Sequence, residues 1–340
     1  MSPTQVLSPE VEVMDLVLAK IKSHAVGVFA ELRIADLLAG GPRTAEELAS
    51  AVGAHAPSLT RLLRVLASLG LLAETGPGIY GLTATGSLLR SDVPTSLRGI
   101  AAMFGGELHT RAWSRLNHSV LTGEPAFDAV FGAPIFVYLA ANPEAASMFD
   151  AAMTSISGRQ AAAVVEAYDF SGLSTLVDVG GGHGALLAAI LRRNPSLRGV
   201  LFDLPHVVAA AGPIFEEAGV RDRVELVSGD FLKGVPVGAD AYIMKLIVHD
   251  WDDERAGTIL GHCRRALAPG GRVLVVDAVV DETPGSLYAN LLDIEMLVLT
   301  PHGKERTEPE LRRLFAAAGL RLNRIMSTAS PLKIVEGGPR

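Results

Sequence analysis

The stretch Thr175-Leu176-Val177-Asp178-Val179-Gly180-Gly181-Gly182-His183-Gly184, followed by Ala185-Leu186-Leu187-Ala188-Ala189-Ile190-Leu191, decides the fold. Leu176, Val177 and Val179 form a short apolar, β-branched run that stops in glycines, after which apolar residues resume at helical spacing. Strand, glycine turn and helix open a nucleotide-binding α/β unit. Glycine belongs where the backbone turns sharply and a ligand must approach with no Cβ in the way. The helix start adds free N–H groups. Two ligand classes use such a turn, dinucleotides and S-adenosylmethionine (SAM). Gly180, Gly182 and Ala185 satisfy G-x-G-x-x-G/A, so the motif alone leaves both open.

Downstream, strands alternate with helices. Residues 200–202 predict a second strand ending at Asp203, 224–227 a third ending near Asp230, and 241–244 a fourth followed by Lys245 and His249. Residues 273–276 predict a fifth, ending at Asp277, and 320–327 with 333–335 two final strands. Such alternation predicts a doubly wound, mostly parallel sheet, whose ligands sit at the carboxyl ends of the strands. Asp178, Asp203, Asp230, His249 and Asp277 all fall at or next to those ends. Asp203 stands at the distance from the glycines that suits an acid gripping ribose hydroxyls. Asp230-Phe231 pairs an acceptor with an apolar face, which suits an adenine. His249 lies beyond a strand end, before an acid-rich helix start, and is a candidate base. No His-x₃-His or H-x-E spacing supports a metal.

The N-terminal part reads as helices over residues 10–40, with Val13, Leu16, Val17, Ile21, Val28, Leu32 and Leu37 at spacings of three and four. Thr44-Ala45-Glu46-Glu47 is a capping box, so a helix starts there. Pro57 opens another, with Leu59, Leu62, Leu63, Leu66 and Leu69 on its buried side, and residues 71–83 read as a hairpin. This is a winged-helix pattern. Arg61, Arg64 and Arg90 are balanced by Glu46, Glu47 and Glu74, which leaves no phosphate-binding footprint. Oligomerisation or a substrate wall is the expected use. Residues 95–168 are helical and rich in large apolar side chains, a composition that suits a pocket for a flat aromatic ligand. The expected division is therefore a winged-helix-like domain over 1–94, pocket helices over 95–168, and a Rossmann-like domain over 169–340.

Composition narrows the partners. The formal net charge of −7 argues against nucleic acid. A single cysteine, Cys263, excludes an intrachain disulfide. With no basic-then-apolar leader and no run of membrane-spanning length, the expected location is the cytoplasm.

Five ordered stretches now carry a resemblance: residues 175–184; Phe202-Asp203-Leu204-Pro205-His206-Val207; Gly229-Asp230-Phe231; His249-Asp250-Trp251; and Gly303-Lys304-Glu305-Arg306-Thr307. Together they resemble the SAM-dependent small-molecule O-methyltransferases, both the plant caffeate and flavonoid type and the bacterial polyketide- and antibiotic-tailoring type. The N-terminal region is similar to that family's dimerisation domain. The resemblance implies a homodimer acting on a hydroxylated small molecule. It implies that Gly180, Gly182, Asp203, Leu204, Asp230, Phe231 and Lys245 bind SAM. It further implies that His249 deprotonates the acceptor hydroxyl, braced by Asp277, with Glu305 as a second acid. Met103, Phe149, Met153, Asn290 and Met296 would face the acceptor. A histidine of ordinary pKa, near 6.5, is mostly neutral at pH 7 and takes a phenolic proton as the methyl moves. Two other reactions stay open. The first is a family member that has become a hydroxylase, decarboxylase or pericyclase. The second is an NAD-linked oxidoreductase.

Overall fold

A computed structural model describes residues 8–93, 96–281 and 286–340. The chain divides into two compact units, one of Met1–Arg111 with Leu139–Ile156 and the other of Ala112–Tyr138 with Ser157–Arg340. The helical segment over 95–168, read as linker and pocket helices, is shared between them. The reason is what each helix packs on. In the first unit, helix Arg98–Gly105 packs along helix Pro9–Glu31, where His24 Nδ1 meets Gly105 O at 3.1 Å. In the second, helices Leu116–Thr122 and Ala126–Phe131 pack on helix Leu287–Leu299.

In the first unit the helix after Thr44 and the hairpin form where the sequence predicts them. Thr44 Oγ1 accepts from Glu47 N and Glu47 Oε2 from Thr44 N, closing the capping box of helix Ala45–Val52. Strands Leu72–Gly76 and Ile79–Leu82 form the hairpin, and Arg43–Thr44 adds an unforeseen third strand to it. Leu48, Leu63, Leu66 and Phe29 are fully buried, each worth about 1.5–3 kcal/mol of transfer free energy. The apolar periodicity of helix Pro9–Glu31 has a different outcome. Val13, Leu16, Val17 and Ile21 face outward, Leu16 being 75% exposed. No helix among the described residues is long and apolar enough to cross a membrane.

The second unit is built on a seven-stranded sheet: β1 (Thr175–Val179), β2 (Arg198–Asp203), β3 (Val224–Ser228), β4 (Ala239–Lys245), β5 (Leu267–Asp277), β6 (Leu320–Ser327) and β7 (Lys333–Pro339). Their order across the sheet is β6-β7-β5-β4-β1-β2-β3. β1 to β5 are parallel, and β7 runs antiparallel to both its neighbours. The central strands read as continuous apolar runs because helices cover both faces. Chain direction across the sheet reverses at β1: β2 and β3 lie on one side, β4 and β5 on the other. That is the switch point at which such sheets bind ligands.

The glycine turn after β1 is shaped by one apolar neighbour. Gly184 has φ +89, and a Cβ there would lie 2.1 Å from Phe215 Cζ. Gly182 has φ +59 but open space around it. We expect Gly182→Ala to cost about 1–2 kcal/mol from left-handed backbone alone. Gly184→Ala adds overpacking of about 1–3 kcal/mol. Urea denaturation of both variants checks the ranking, and equal losses would contradict it.

Candidate active site

Sheet order turns residues that are distant in sequence into neighbours along one edge. From β5 through β3, the carboxyl ends present Asp277, Lys245, Gly180, Asp203 and Asp230 in spatial sequence. The ladder continues past the strands, with Gly180 N–H donating to Phe202 O and Gly229 N–H to Asp203 O. A Cβ on Gly180 would lie 2.5 Å from Ile247 and 3.5 Å from Phe231. The glycine turn, the 230–231 corner and the 246–249 turn therefore converge.

Asp203 spans the glycine turn. Its Oδ2 accepts from Gly182 N–H at 2.8 Å and its Oδ1 from Leu204 N–H at 2.7 Å. Leu204 itself is exposed and caps the next helix without a side-chain bond. Asp230 Oδ1 accepts from Leu232 N–H at 2.9 Å and pairs with Lys233. Phe231 meets the Trp251 ring edge-on at 5.9 Å. Asp178 is buried, Oδ2 has no hydrogen-bond partner, and burial pushes its pKa up to about 7. Lys245 Nζ donates to Ser157 Oγ and Gln160 Oε1, both at 3.3 Å, and desolvation lowers its pKa against the pull of Asp178 and Asp277.

His249 sits on a short 3₁₀ turn, Val248–Asp250, beyond β4. Its Nδ1 meets Glu305 Oε1 at 2.5 Å, and the Glu305 side chain has no exposure. The other ring nitrogen, Nε2, lies 3.6 Å from Asp250 Oδ1, beyond hydrogen-bond reach. The brace on the imidazole is thus Glu305. Asp277, expected in that place, has the shorter arm, and its Oδ1 instead accepts from Leu246 N–H at 2.9 Å. That bond serves the turn: Leu246 has φ +56, a left-handed conformation costing about 1–3 kcal/mol for a residue with a side chain. Asp277 acts on His249 through charge.

Those charges overturn the expectation of an ordinary imidazole. Burial alone would lower the His249 pKa, but Asp250, Glu305 and Asp277 outweigh it and raise it to about 10. Asp250 and Asp277 are each pushed up to about 6 by burial, and burial raises Glu305 as well. Asp250, part of the His249-Asp250-Trp251 motif, was not expected to act on the imidazole, although it adjoins His249 in the chain. Asp293 is another such neighbour: its Oδ1 accepts from Glu305 N–H at 2.9 Å and holds that acid in place. Nothing in its local sequence marks it. Among the described residues these groups do not form a metal-ligand set.

The residues expected to face the acceptor fall in different units. Met103 is buried and Phe149 and Met153 half-buried in the first unit. Met296, buried, and Asn290, exposed, lie on helix Leu287–Leu299 of the second. Trp113 Nε1 donates to Glu295 Oε2 at 2.6 Å beside Met296.

Residues 113–321 match the O-methyltransferase domain, and residues 14–92 the O-methyltransferase dimerisation domain. The chain belongs to the O-methyltransferase family. It is 49% identical over 317 residues to the phenazine O-methyltransferase PhzM of Lysobacter antibioticus, covering 93% of this chain and 92% of that one. An O-methyltransferase from neocarzinostatin biosynthesis, solved with SAM and 2-hydroxy-5-methyl naphthoic acid, is 38% identical with a TM-score of 0.78. The match covers 94% of this chain and 96% of that one. The aclacinomycin 10-hydroxylase RdmB of Streptomyces purpurascens is 37% identical, over 94% of this chain and 88% of that one. This O-methyltransferase uses SAM, and the dinucleotide that the glycine motif left open is set aside.

The buried cluster makes stability depend on pH. A histidine raised from 6.5 to about 10 stabilises the fold fully below pH 6.5 and loses that contribution as pH rises through 10. The raised carboxylates act in the same sense at lower pH. Unfolding free energy by urea titration should therefore fall between pH 7 and pH 10, and fall less in His249→Gln. A slope identical in the two proteins would contradict the assignment.

Proposed function

We propose that this O-methyltransferase transfers a methyl group from SAM to a hydroxyl of an aromatic or polyketide-type small molecule of secondary metabolism, with His249 taking the hydroxyl proton. The observation that carries it is the buried His249–Glu305 contact, on the sheet edge that bears the glycine turn, Asp203 and Asp230. Five strand ends at about 4.8 Å spacing span roughly 19 Å, room for a donor and an acceptor side by side.

The chain's donor set fits SAM. Asp203 is an acceptor pair for ribose hydroxyls. Leu204 borders it, Asp230 and Phe231 flank the adenine, and the turn at Gly180 and Gly182, with open space around Gly182, is assigned to the methionine part. Asp178 Oδ2 and Trp251 Nε1, buried without partners, are polar atoms that a ligand there would satisfy. When bound there, SAM would supply an electrophilic sulfonium methyl, with S-adenosylhomocysteine as the leaving group. Glu305 holds Nδ1 as the donor nitrogen, which leaves Nε2 for the acceptor. The acceptor oxygen gives its proton to Nε2 as the O–CH₃ bond forms and the S–CH₃ bond breaks. Met296 and Asn290, in the second unit with His249, are assigned to the acceptor's ring.

A raised pKa cuts two ways. A phenol, near 10 by the tyrosine reference, hands its proton to a base of about 10 almost without cost. Emptying that base at pH 7 costs about 4 kcal/mol. Turnover should therefore climb with pH through the basic range. Glu305→Gln, which removes a charge and a bond that raise His249, should move the climb to lower pH.

S-adenosylhomocysteine release, with a hydroxylated phenazine and a hydroxynaphthoic acid as acceptors, tests the reading. His249→Ala should lower turnover by roughly 10²–10⁴-fold and leave the SAM Kd unchanged. Asp203→Ala should weaken SAM binding by about 1–3 kcal/mol. Full turnover in His249→Ala would remove the base, and an unaltered SAM Kd in Asp203→Ala the ribose contact. A second reading, favoured by the RdmB relative, keeps SAM and changes the reaction to hydroxylation. Product oxygenated without loss of the SAM methyl would support it instead.

We also propose that the outward face of helix Pro9–Glu31 seats a second copy of the chain. Leu16, Val17 and Ile21 are exposed there within the matched dimerisation domain, and Val13 is exposed just before it. Leu16→Glu with Val17→Glu should give a monomer by light scattering, and a persistent dimer would refute it.

A further inference from the structure

The segment 304–306 reaches His249 by more than the Glu305 carboxylate. Lys304 N–H donates to His249 O at 2.8 Å. Arg306 Nη1 donates to Val248 O at 3.0 Å and Nη2 to Trp251 O at 2.7 Å. Arg306 Nε donates to Asp253 Oδ1 at 3.0 Å. Three carbonyls in and beside the turn that carries His249 thus end on two residues, Lys304 and Arg306, which flank Glu305. By contrast, the turn's own bonds are long: Asp250 N–H to Ile247 O is 3.2 Å and Trp251 N–H to Val248 O 3.4 Å. The turn is held from outside more firmly than from within, and it follows the left-handed Leu246.

Arg306 is the centre of that hold. Its side chain is 2% exposed, so the charge is out of water and every contact counts. Its backbone pairs in parallel with Val279, two residues past Asp277, which anchors it to the sheet edge. A guanidinium fork donates to two carbonyls and a carboxylate at once in fixed geometry, which an ammonium does not reproduce. We infer that Arg306 is a positioning residue for methyl transfer: it fixes the His249 turn, and so the direction of Nε2, without touching donor or acceptor. This rests on the reading of His249 as proton acceptor.

The test is a double-mutant cycle in the S-adenosylhomocysteine assay, with the phenazine and naphthoic acceptors above. Arg306→Ala should lower kcat on the order of 10²-fold, the scale for a misplaced catalytic group. The SAM Kd should stay within about twofold of wild type. Arg306→Lys should not restore turnover, whereas guanidinium added to Arg306→Ala should restore part of it and methylammonium none. In a His249→Ala background the Arg306→Ala loss should shrink to about twofold or less. Asp253→Asn, altered at a side chain 62% exposed, gives a variant that folds if Arg306→Ala does not, and should lower kcat several-fold at unchanged SAM Kd. An Arg306 or Asp253 loss that persists undiminished in His249→Ala would overturn the inference, as would wild-type kcat in both variants. Wild-type turnover in His249→Ala would instead overturn the reading of His249, and this inference with it.

Discussion

His249 Nδ1 and Glu305 Oε1 meet at 2.5 Å where neither side chain reaches much water. Burying such a pair repays its desolvation only if the geometry is good and further bonds close around it. Much of the second unit's upper edge supplies those bonds. Asp293 holds Glu305 by its N–H, Arg306 and Lys304 hold the carbonyls of the His249 turn, and Asp277 holds Leu246 in its strained conformation. The acids that crowd the imidazole also set its proton affinity. The group that accepts a proton in the proposed reaction is thus tuned by the acids packed around it.

Sheet order supplies the second constraint. Because β1 sits between β4 and β2, the glycine turn has the His249 side of the edge on one flank and Asp203 on the other. The pairing is fixed by parallel registers such as Val177 with Val200 and with Tyr242. A slip of one residue would move every inward side chain to the opposite face, and the edge residues with them.

Much of this was legible in the residues. The strand runs, the glycine turn, the capping box at Thr44 and the strand-end acids carry local signals, because periodicity and turn chemistry act over a few residues. The parallel pairing of Val279–Val280 with Arg306–Thr307 was not legible, since two-residue strands leave no period to read. Nor was the outward face of helix Pro9–Glu31: a helical period reports an apolar stripe, not what covers it. Residues 95–168 read as one helical region because their composition is uniform. Their division follows from packing partners far away in the chain.

The sequence by itself determined the fold class and, through five ordered motifs, the family and with it the donor, since these depend on local spacing. Tertiary structure decided which of the site residues touch. It gave the imidazole to Glu305 rather than Asp277, placed Asp250 beside the second ring nitrogen, and put a buried Arg306 behind the turn. It also raised the His249 pKa, which sequence left near its ordinary value. The physical reason is that Coulomb energy and desolvation depend on distance and burial, and neither is a property of position along the chain.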